Sequence, residues 1–559
     1  MRILIYTGYH HSRFSMGQWR DSGGDGVSNS TIQLAETLAS NGHDVIVSGQ
    51  VNNENADKIQ FIETGMLEEN SHFDVVIAIS FLHYLKALDE KNITFGKSLL
   101  WVHYSQCYLW WKGEQLENNG DDIFRDDRMT WVVLQSESQA ISFSRKYPYA
   151  SRKIRLIGNA VGGKAWPAKA VKKPGKFISC SSPDRSLGNL LSIWPQIKEL
   201  VPEATLTVAT PYTGKDESPP ENLQSIDGVT YVGSLSAASL YREIAESEYW
   251  LNPSDYSESY GLTALEMMKG GVKIISTNNG HLETLLEDKA AIVRVANGET
   301  IASATLRTFT EYHTNSEQSK EHLANAAGFA AERSWDKRLE KWLDLFNSEP
   351  DLSVKHPELY TYFDDKEAWE QRFVTYAART KEWELITDEP FDNCFTFPLF
   401  TEEFCTKLRE EAEHAQSWTT KRHVSFPTTD MVLQVLNLND TYRAVIADYI
   451  MPCAIYHWEL GPGWRNFRAE TFLAKYTATA QGHLSIHHDE SDVTCLIQLS
   501  DLHEYEGGGT YFRRQRKVVK NSIGYATLHP GHITHKHGGR AISKGLRYIL
   551  VSFIHRNRG

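Results

Sequence analysis

No Cys-x-x-Cys pair occurs in this chain of 559 residues, although six cysteines are scattered along it at Cys107, Cys180, Cys394, Cys405, Cys453 and Cys495. That spacing excludes both a zinc site and a disulfide framework. Long hydrophobic runs are missing too, since none approaches the ~18 apolar residues of a membrane span. The opening Met1-Arg2-Ile3-Leu4-Ile5-Tyr6-Thr7 reads as a short strand. It lacks the longer apolar core and small-residue cleavage site of a secretory leader, so the expected location is cytoplasmic. Positive charge is in deficit: the net charge of −13 argues against nucleic acid as a standing partner. No internal repeat stands out. What is present is 41% apolar and 23% charged, enough for several cores, and the length predicts three or four domains. The one dense basic run, Arg513-Arg514-Gln515-Arg516-Lys517, reads as a solvated hairpin tip that could steer an acidic substrate.

The most informative segment lies near the C-terminal end. It contains His487-His488-Asp489, then His537, then Arg547. One histidine and one carboxylate two residues apart, with a distant second histidine, is a pattern that holds ferrous iron on one face and leaves the other open. If residues 485–489 form a strand, His487 and Asp489 share a face and His488 points away. His535 competes with His537 as third ligand, and Arg540 with Arg547 as a carboxylate clamp. His537 and Arg547 are preferred, because Gly538-Gly539 and Lys544-Gly545 let a loop turn onto the strand that begins at Arg547. A guanidinium fork there could grip a carboxylate in bidentate fashion. Iron, an open face and a carboxylate clamp together suggest an oxygenase that consumes 2-oxoglutarate.

From about Trp383 onward the sequence resembles the catalytic domain of procollagen lysyl hydroxylases. The matching stretches are Phe397-Pro398-Leu399-Phe400, Pro427-Thr428-Thr429-Asp430, Tyr476 eleven residues before His487, Glu504-Tyr505-Glu506-Gly507-Gly508-Gly509-Thr510, His529-Pro530-Gly531, Thr534-His535-Lys536-His537 and Gly545-Leu546-Arg547-Tyr548. The resemblance implies a double-stranded β-helix (jelly-roll) fold with Fe(II) on His487, Asp489 and His537. It also implies 2-oxoglutarate held by Arg547 with help from Tyr476, and a peptidyl lysine substrate. It admits ascorbate as an accessory reductant and a homodimer as the assembly.

Residues 1–347 alternate short apolar runs with amphipathic stretches, the signature of βαβ units around parallel sheets. Expected strands are 3–6, 44–47, 75–79, 99–102, 131–134 and 154–157, then 177–180, 205–208, 229–232, 248–251 and 272–276. A Lys-, Ala-, Pro- and Gly-rich break at 162–176 separates the two series. After the first strand come Ser22-Gly23-Gly24-Asp25-Gly26 and a helical pattern over 27–40, and glycines before a helix let a phosphate approach its positive end. The segment Ser257-Glu258-Ser259-Tyr260-Gly261-Leu262-Thr263-Ala264-Leu265-Glu266 follows an apolar strand, with Glu258 in a loop and Glu266 about one turn inside a helix.

This part resembles the retaining glycosyltransferases with two Rossmann-like domains, the GT-B architecture, whose hallmark is two glutamates separated by seven residues. The match includes Ser334-Trp335 near its end. It implies that Glu258 contacts the donor sugar and Glu266 the nucleotide ribose. Gly23, Gly24 and Arg185 would surround the diphosphate, and His103 would face the acceptor and act in catalysis. Such enzymes often carry a second cation some six residues before the Arg185 position, where this chain has Ser179. No metal is expected for transfer.

The expected architecture is therefore multidomain: an α/β GT-B pair, residues 1–165 on the acceptor side and 166–347 on the nucleotide-sugar side, then a partly helical connector at 348–385 and a dioxygenase domain at 386–559. The expected function is bifunctional, hydroxylating peptidyl lysine and then glycosylating the new hydroxyl. Other acceptors (a glycan, a small metabolite, a nucleobase) or a non-catalytic role for one half are the alternatives. Known lysyl hydroxylases with transferase activity use a different, metal-dependent transferase fold, so this pairing would be a separate solution.

Overall fold

Continuous runs such as Val75-Val76-Ile77 mark strands buried on both faces, as parallel sheets require. In the computed structural model, which describes all residues except 9–12, 105–106, 108–109, 112–113, 116, 211–222, 423–425 and 558–559, such runs form the centres of two sheets. The chain divides into two compact units, residues 1–143 with 153–350, and residues 144–152 with 351–559.

In the first unit, the strands β1 (Arg2–Gly8), β2 (Asp44–Gly49), β3 (Glu54–Ala56), β4 (Ile59–Glu63), β5 (His72–Ile79) and β6 (Thr94–Trp101) come before a short hairpin, β7 (Trp110–Trp111) and β8 (Glu114–Gln115). β9 (Trp131–Leu134) and β10 (Ile154–Leu156) complete a sheet of order β10-β9-β6-β5-β1-β2-β4-β3, parallel except for β3. β3 and β4 are not among the expected strands, because their apolar residues are few and alternate with polar ones. The second sheet contains β11 (Lys176–Ser179), β12 (Thr205–Val208), β13 (Val229–Tyr231), β14 (Tyr249–Asn252), β15 (Lys273–Ser276) and β16 (Ala291–Ile292), all parallel, in the order β13-β12-β11-β14-β15-β16. Two open parallel sheets, each crossed by helices, constitute the GT-B architecture. The helix Trp335–Asn347, capped by the Ser334 hydroxyl, packs Trp342 edge-on against Trp101 at 5.1 Å, and Trp131 donates its indole N–H to the Leu345 carbonyl at 3.1 Å. The last helix of the unit thereby joins the core under its first sheet.

The second unit is antiparallel. Its strands are β17 (Asp388–Phe391), β18 (Cys394–Pro398), β19 (Thr429–Val432), β20 (Phe467–Thr477), β21 (Val493–Gln498), β22 (Tyr505–Gly507), β23 (Thr510–Phe512), β24 (Lys517–Val519), β25 (Tyr525–Pro530), β26 (His537–Gly539) and β27 (Ile542–Arg556). The main sheet has the order β17-β18-β25-β21-β27-β20-β19, and a smaller one the order β24-β23-β26, the two-sheet arrangement of a jelly-roll. The connector expected over 348–385 is, from residue 351 on, part of this unit, and its apolar side chains join the unit's core. Leu359, Tyr362, Trp369, Phe373 and Trp383 are buried beside Phe397, Phe404 and Leu408. A segment this rich in aromatics gains more from burial than from spanning solvent.

Candidate functional site

Alternation along two long strands builds the wall of a cavity in the second unit. Phe472, Ala474 and Tyr476 of β20 face one side with Arg547, Ile549, Val551 and Phe553 of β27, while Leu473, Tyr548 and Leu550 face the helix-packed core. Tyr476 stands directly opposite Arg547 in the antiparallel pair, its ring 5.5 Å from the guanidinium carbon. With His487, Asp489 and His537, these side chains line a cavity of about 310 Å³. Arg547 is 4% exposed, its Nε 3.4 Å from the Gln498 side-chain oxygen, and among the described residues no carboxylate lies within ion-pair reach of it. An unpaired buried cation is costly, so this one awaits an anion.

The two histidines meet through backbone register. His487 and His537 exchange both backbone hydrogen bonds, at 2.8 and 2.9 Å, in an isolated antiparallel bridge. The strand expected over 485–489 is reduced to that bridge, because the chain turns at Glu490 with φ +58 and the Asp489 N–H goes to the Gly531 carbonyl at 3.0 Å. His487, Asp489 and His537 nonetheless bring one ligand atom each to within 4.8 Å of one another. His487 Nε2 lies 3.2 Å and His537 Nε2 3.6 Å from the Asp489 carboxylate. The Nδ1 atoms face backbone carbonyls, Ser485 at 2.7 Å and His535 at 3.0 Å, and Thr494 donates its hydroxyl to Asp489 Oδ2 at 2.7 Å. Such outer partners fix the tautomer and aim Nε2 inward. Burial works to raise the Asp489 pKa, but His537 and His487 outweigh it and hold the carboxyl far below its usual range. Burial lowers the His537 pKa; at His487 the Asp489 carboxylate and the Ser485 carbonyl overcome burial and raise it.

The competing residues lie elsewhere. His535 directs Nε2 at the Asp392 carbonyl, 3.3 Å away, and Arg540 is exposed. His488 also lines the cavity but stands outside the three-residue cluster. The basic run 513–517 occupies the β23–β24 turn, with all four cations exposed. Thr494 and Gln498 were not singled out in the sequence, whereas His529 stands in the matching stretch His529-Pro530-Gly531 without an assigned role. His529 is fully buried 4.7 Å from the His537 ring, and its pKa is pushed down to about 3 by burial. No local motif announces Thr494 or Gln498.

In the first unit, Asp25 caps the helix Gly26–Ser40 through bonds of 2.8 Å to the Val27 and Ser28 N–H groups. Gly23 before it has φ +76, and a β-carbon there would overlap the Leu235 carbonyl, so only glycine permits that approach. Glu258 lies in the loop after β14 and accepts from Arg185 Nη1 at 2.7 Å, while Arg185 stacks on Tyr256 at 3.9 Å. Burial raises the Glu258 pKa against that pairing. Glu266 is inside the helix Leu262–Gly270, 6% exposed, within 3.3 Å of Asn29 Nδ2, and burial lifts its pKa to about 7. His103 receives the Gln135 amide at 2.7 Å, and its carbonyl accepts from the Ser259 hydroxyl at 3.0 Å, which brings it beside the Glu258 loop. Ser179, where a second cation was sought, ends β11 and is buried. Asn29 and Tyr241, which contact one another and Glu266, were missed because neither belongs to the two-glutamate motif.

Among the described residues no helix is long and apolar enough to cross a membrane. Residues 178–311 match the family described as Glycosyl transferases group 1, and residues 351–459 the OGFOD2-like domain. The multifunctional procollagen lysine hydroxylase and glycosyltransferase LH3 of Rattus norvegicus is 31% identical over 224 residues, 38% of this chain and 30% of that protein. Procollagen-lysine,2-oxoglutarate 5-dioxygenase 2 of Homo sapiens is 30% identical over 208 residues, 35% of this chain and 28% of that protein. The chain thus spans less than a third of the length of these curated relatives. Sucrose-phosphate synthase from Thermosynechococcus elongatus superposes with a TM-score of 0.45 at 14% identity, covering 62% of this chain and 98% of that one. The chain joins a glycosyl transferases group 1 region to a region similar to the procollagen lysine hydroxylases.

Proposed function

We propose that this chain is a bifunctional enzyme. Its second unit would hydroxylate a peptidyl lysine, in a collagen-like sequence, with Fe(II), O2 and 2-oxoglutarate. Its first unit would transfer a sugar from a nucleotide-sugar donor to the new hydroxyl, with retention at the anomeric carbon. The observation that carries this reading is one cavity in which two histidines and an aspartate converge while, among the described residues, a buried arginine lacks a counter-ion.

The donor set suits ferrous iron, since two imidazoles and one carboxylate on one side leave the other side open. His487 and His537 would bind through Nε2, because their Nδ1 atoms already face carbonyl oxygens, and Asp489 through the oxygen that Thr494 leaves unbonded. When bound, iron supplies the activation of dioxygen at the expense of 2-oxoglutarate. Arg547 would pair with the distal carboxylate of 2-oxoglutarate, and Tyr476 opposite it would donate its hydroxyl to the same group. Apolar side chains such as Phe472, Leu496 and Val551 would exclude water around them.

In the transferase, Arg185 would turn from Glu258 to the donor diphosphate, with Gly23 and Gly24 closing on the phosphates. That exchange would free Glu258 to accept hydrogen bonds from the sugar hydroxyls, while Glu266 bonds the ribose and His103 faces the acceptor. Positioning and charge stabilisation on the leaving diphosphate would do the rest, as that group can itself take the acceptor's proton. The two activities couple chemically, because a lysine methylene offers no acceptor oxygen until it is hydroxylated, and a shared chain raises the local concentration of the intermediate.

The test is mass spectrometry of a lysine-containing peptide incubated with iron, 2-oxoglutarate and a panel of nucleotide sugars. The expected products carry one added oxygen, then one hexose on that oxygen. A peptide that gains neither contradicts the proposal.

A further inference from the structure

The hydroxylase reading leaves the substrate's own charge without a partner. Among the described residues that line the cavity, two carry carboxylates, Asp489 and Glu490. Asp489 is engaged by His487, His537 and Thr494, and its side chain is 2% exposed. Glu490 is the opposite: its side chain is 86% exposed, and among the described residues its ion-pair-range contact is the His488 ring, 3.9 Å away. Its backbone has φ +58, a left-handed conformation that costs a glutamate energy and a glycine almost none. The bond from the Asp489 N–H to the Gly531 carbonyl at 3.0 Å holds the chain where it makes this turn.

Resting on the hydroxylase reading above, we propose that Glu490 receives the ε-ammonium of the substrate lysine and sets the enzyme's selectivity for a cationic side chain. An ammonium entering a cavity that already holds the buried Arg547 would pay desolvation without compensation unless a carboxylate met it. Glu490 directly follows Asp489, so its carboxylate starts one residue from the metal-binding cluster. The amino group of lysine is two bonds from carbon 5, so a carboxylate at that remove can hold the nitrogen while carbon 5 faces the cluster. The remaining wall includes Phe472, Leu496, Ile549 and Phe553, which suit methylenes, and its polar groups such as Thr428 and Thr510 are neutral.

The experiment compares a lysyl peptide with the same peptide bearing norleucine, which keeps the methylenes and lacks the ammonium. Glu490→Gln keeps the shape, and Glu490→Gly removes the carboxylate while relieving the backbone, so a folding defect is not the expected outcome. Both variants should raise KM for the lysyl peptide about ten-fold, the worth of one charge-assisted hydrogen bond. Binding of the norleucine peptide as competitor should stay the same, and Glu490→Asp should recover part of the loss. KM values for the lysyl peptide equal to wild type in both variants would overturn this inference while leaving the hydroxylase reading standing. Failure of the wild type to hydroxylate any lysyl peptide would instead overturn the reading on which it rests.

Discussion

The two units hold their reactive groups in opposite states. In the second unit the groups converge on an open cavity: His487 and His537 are anchored by Nδ1 and turn Nε2 toward Asp489, and among the described residues no carboxylate pairs with the buried Arg547. In the first unit each key carboxylate already has a protein partner, Glu258 on Arg185 and Glu266 with Asn29 and Tyr241. A preformed site gains its whole interaction when ligand arrives; a satisfied one gains only the difference between new and old partners. Single substitutions should therefore act more severely in the second unit.

The largest effect is expected at the histidine–aspartate cluster. His487→Ala, Asp489→Ala and His537→Ala should each lower 2-oxoglutarate turnover more than about a hundred-fold, exceeding the loss typical of outer-shell changes. Transfer to a peptide already carrying hydroxylysine should persist. Turnover assays decide between the histidines: activity kept in His537→Ala and lost in His535→Ala would reverse the assignment. Next in size is Arg547→Ala, which should keep iron yet raise KM for 2-oxoglutarate by about ten- to hundred-fold, through loss of a charge-assisted pair. Loss of iron in that variant would break the separation of roles.

Smaller effects belong to the first unit. Glu266→Ala should weaken nucleotide-sugar binding about ten-fold, read by calorimetry, and Glu258→Ala should mainly lower kcat. An unchanged affinity in the first, or a pure KM effect in the second, would exchange their positions. The subtlest test is pH. The Glu266 pKa is raised by burial to about 7, above its unfolded value, so its contribution to stability is complete below about pH 4.5 and is lost as pH rises through about 7. Glu266→Gln should flatten that part of the stability profile in thermal melts from pH 5 to 8. A slope that survives the substitution would place the titrating group elsewhere.

What the sequence made legible follows the range of the forces involved. Several parallel strands of the first unit were readable because burial on both faces leaves uninterrupted apolar runs; 131–134, Trp-Val-Val-Leu, coincides with β9. Strands whose apolar residues alternate, β3 and β4, were not. Spacing brought His487 and Asp489 to notice, but the pairing of His487 with His537 is a matter of register between segments fifty residues apart, which only the folded sheet reveals. The segment 348–385 reads as a connector because its charges dominate locally, and its aromatics become informative only with Phe397 and Phe404 packed against them. Thr494, Gln498, Asn29 and Tyr241 carry no motif of their own, since a hydroxyl or an amide gains a role from the group it happens to face.

Ordered action of the two units on one side chain has the widest consequences. It is tested most directly by withdrawing iron with a chelator and following both reactions by mass spectrometry on one peptide pair. Sugar transfer to the unmodified lysyl peptide should cease, while transfer to the peptide already bearing hydroxylysine continues at nearly its original rate. Sugar transfer to the unmodified peptide that survives iron withdrawal would contradict the account, because the two units would then address different acceptors.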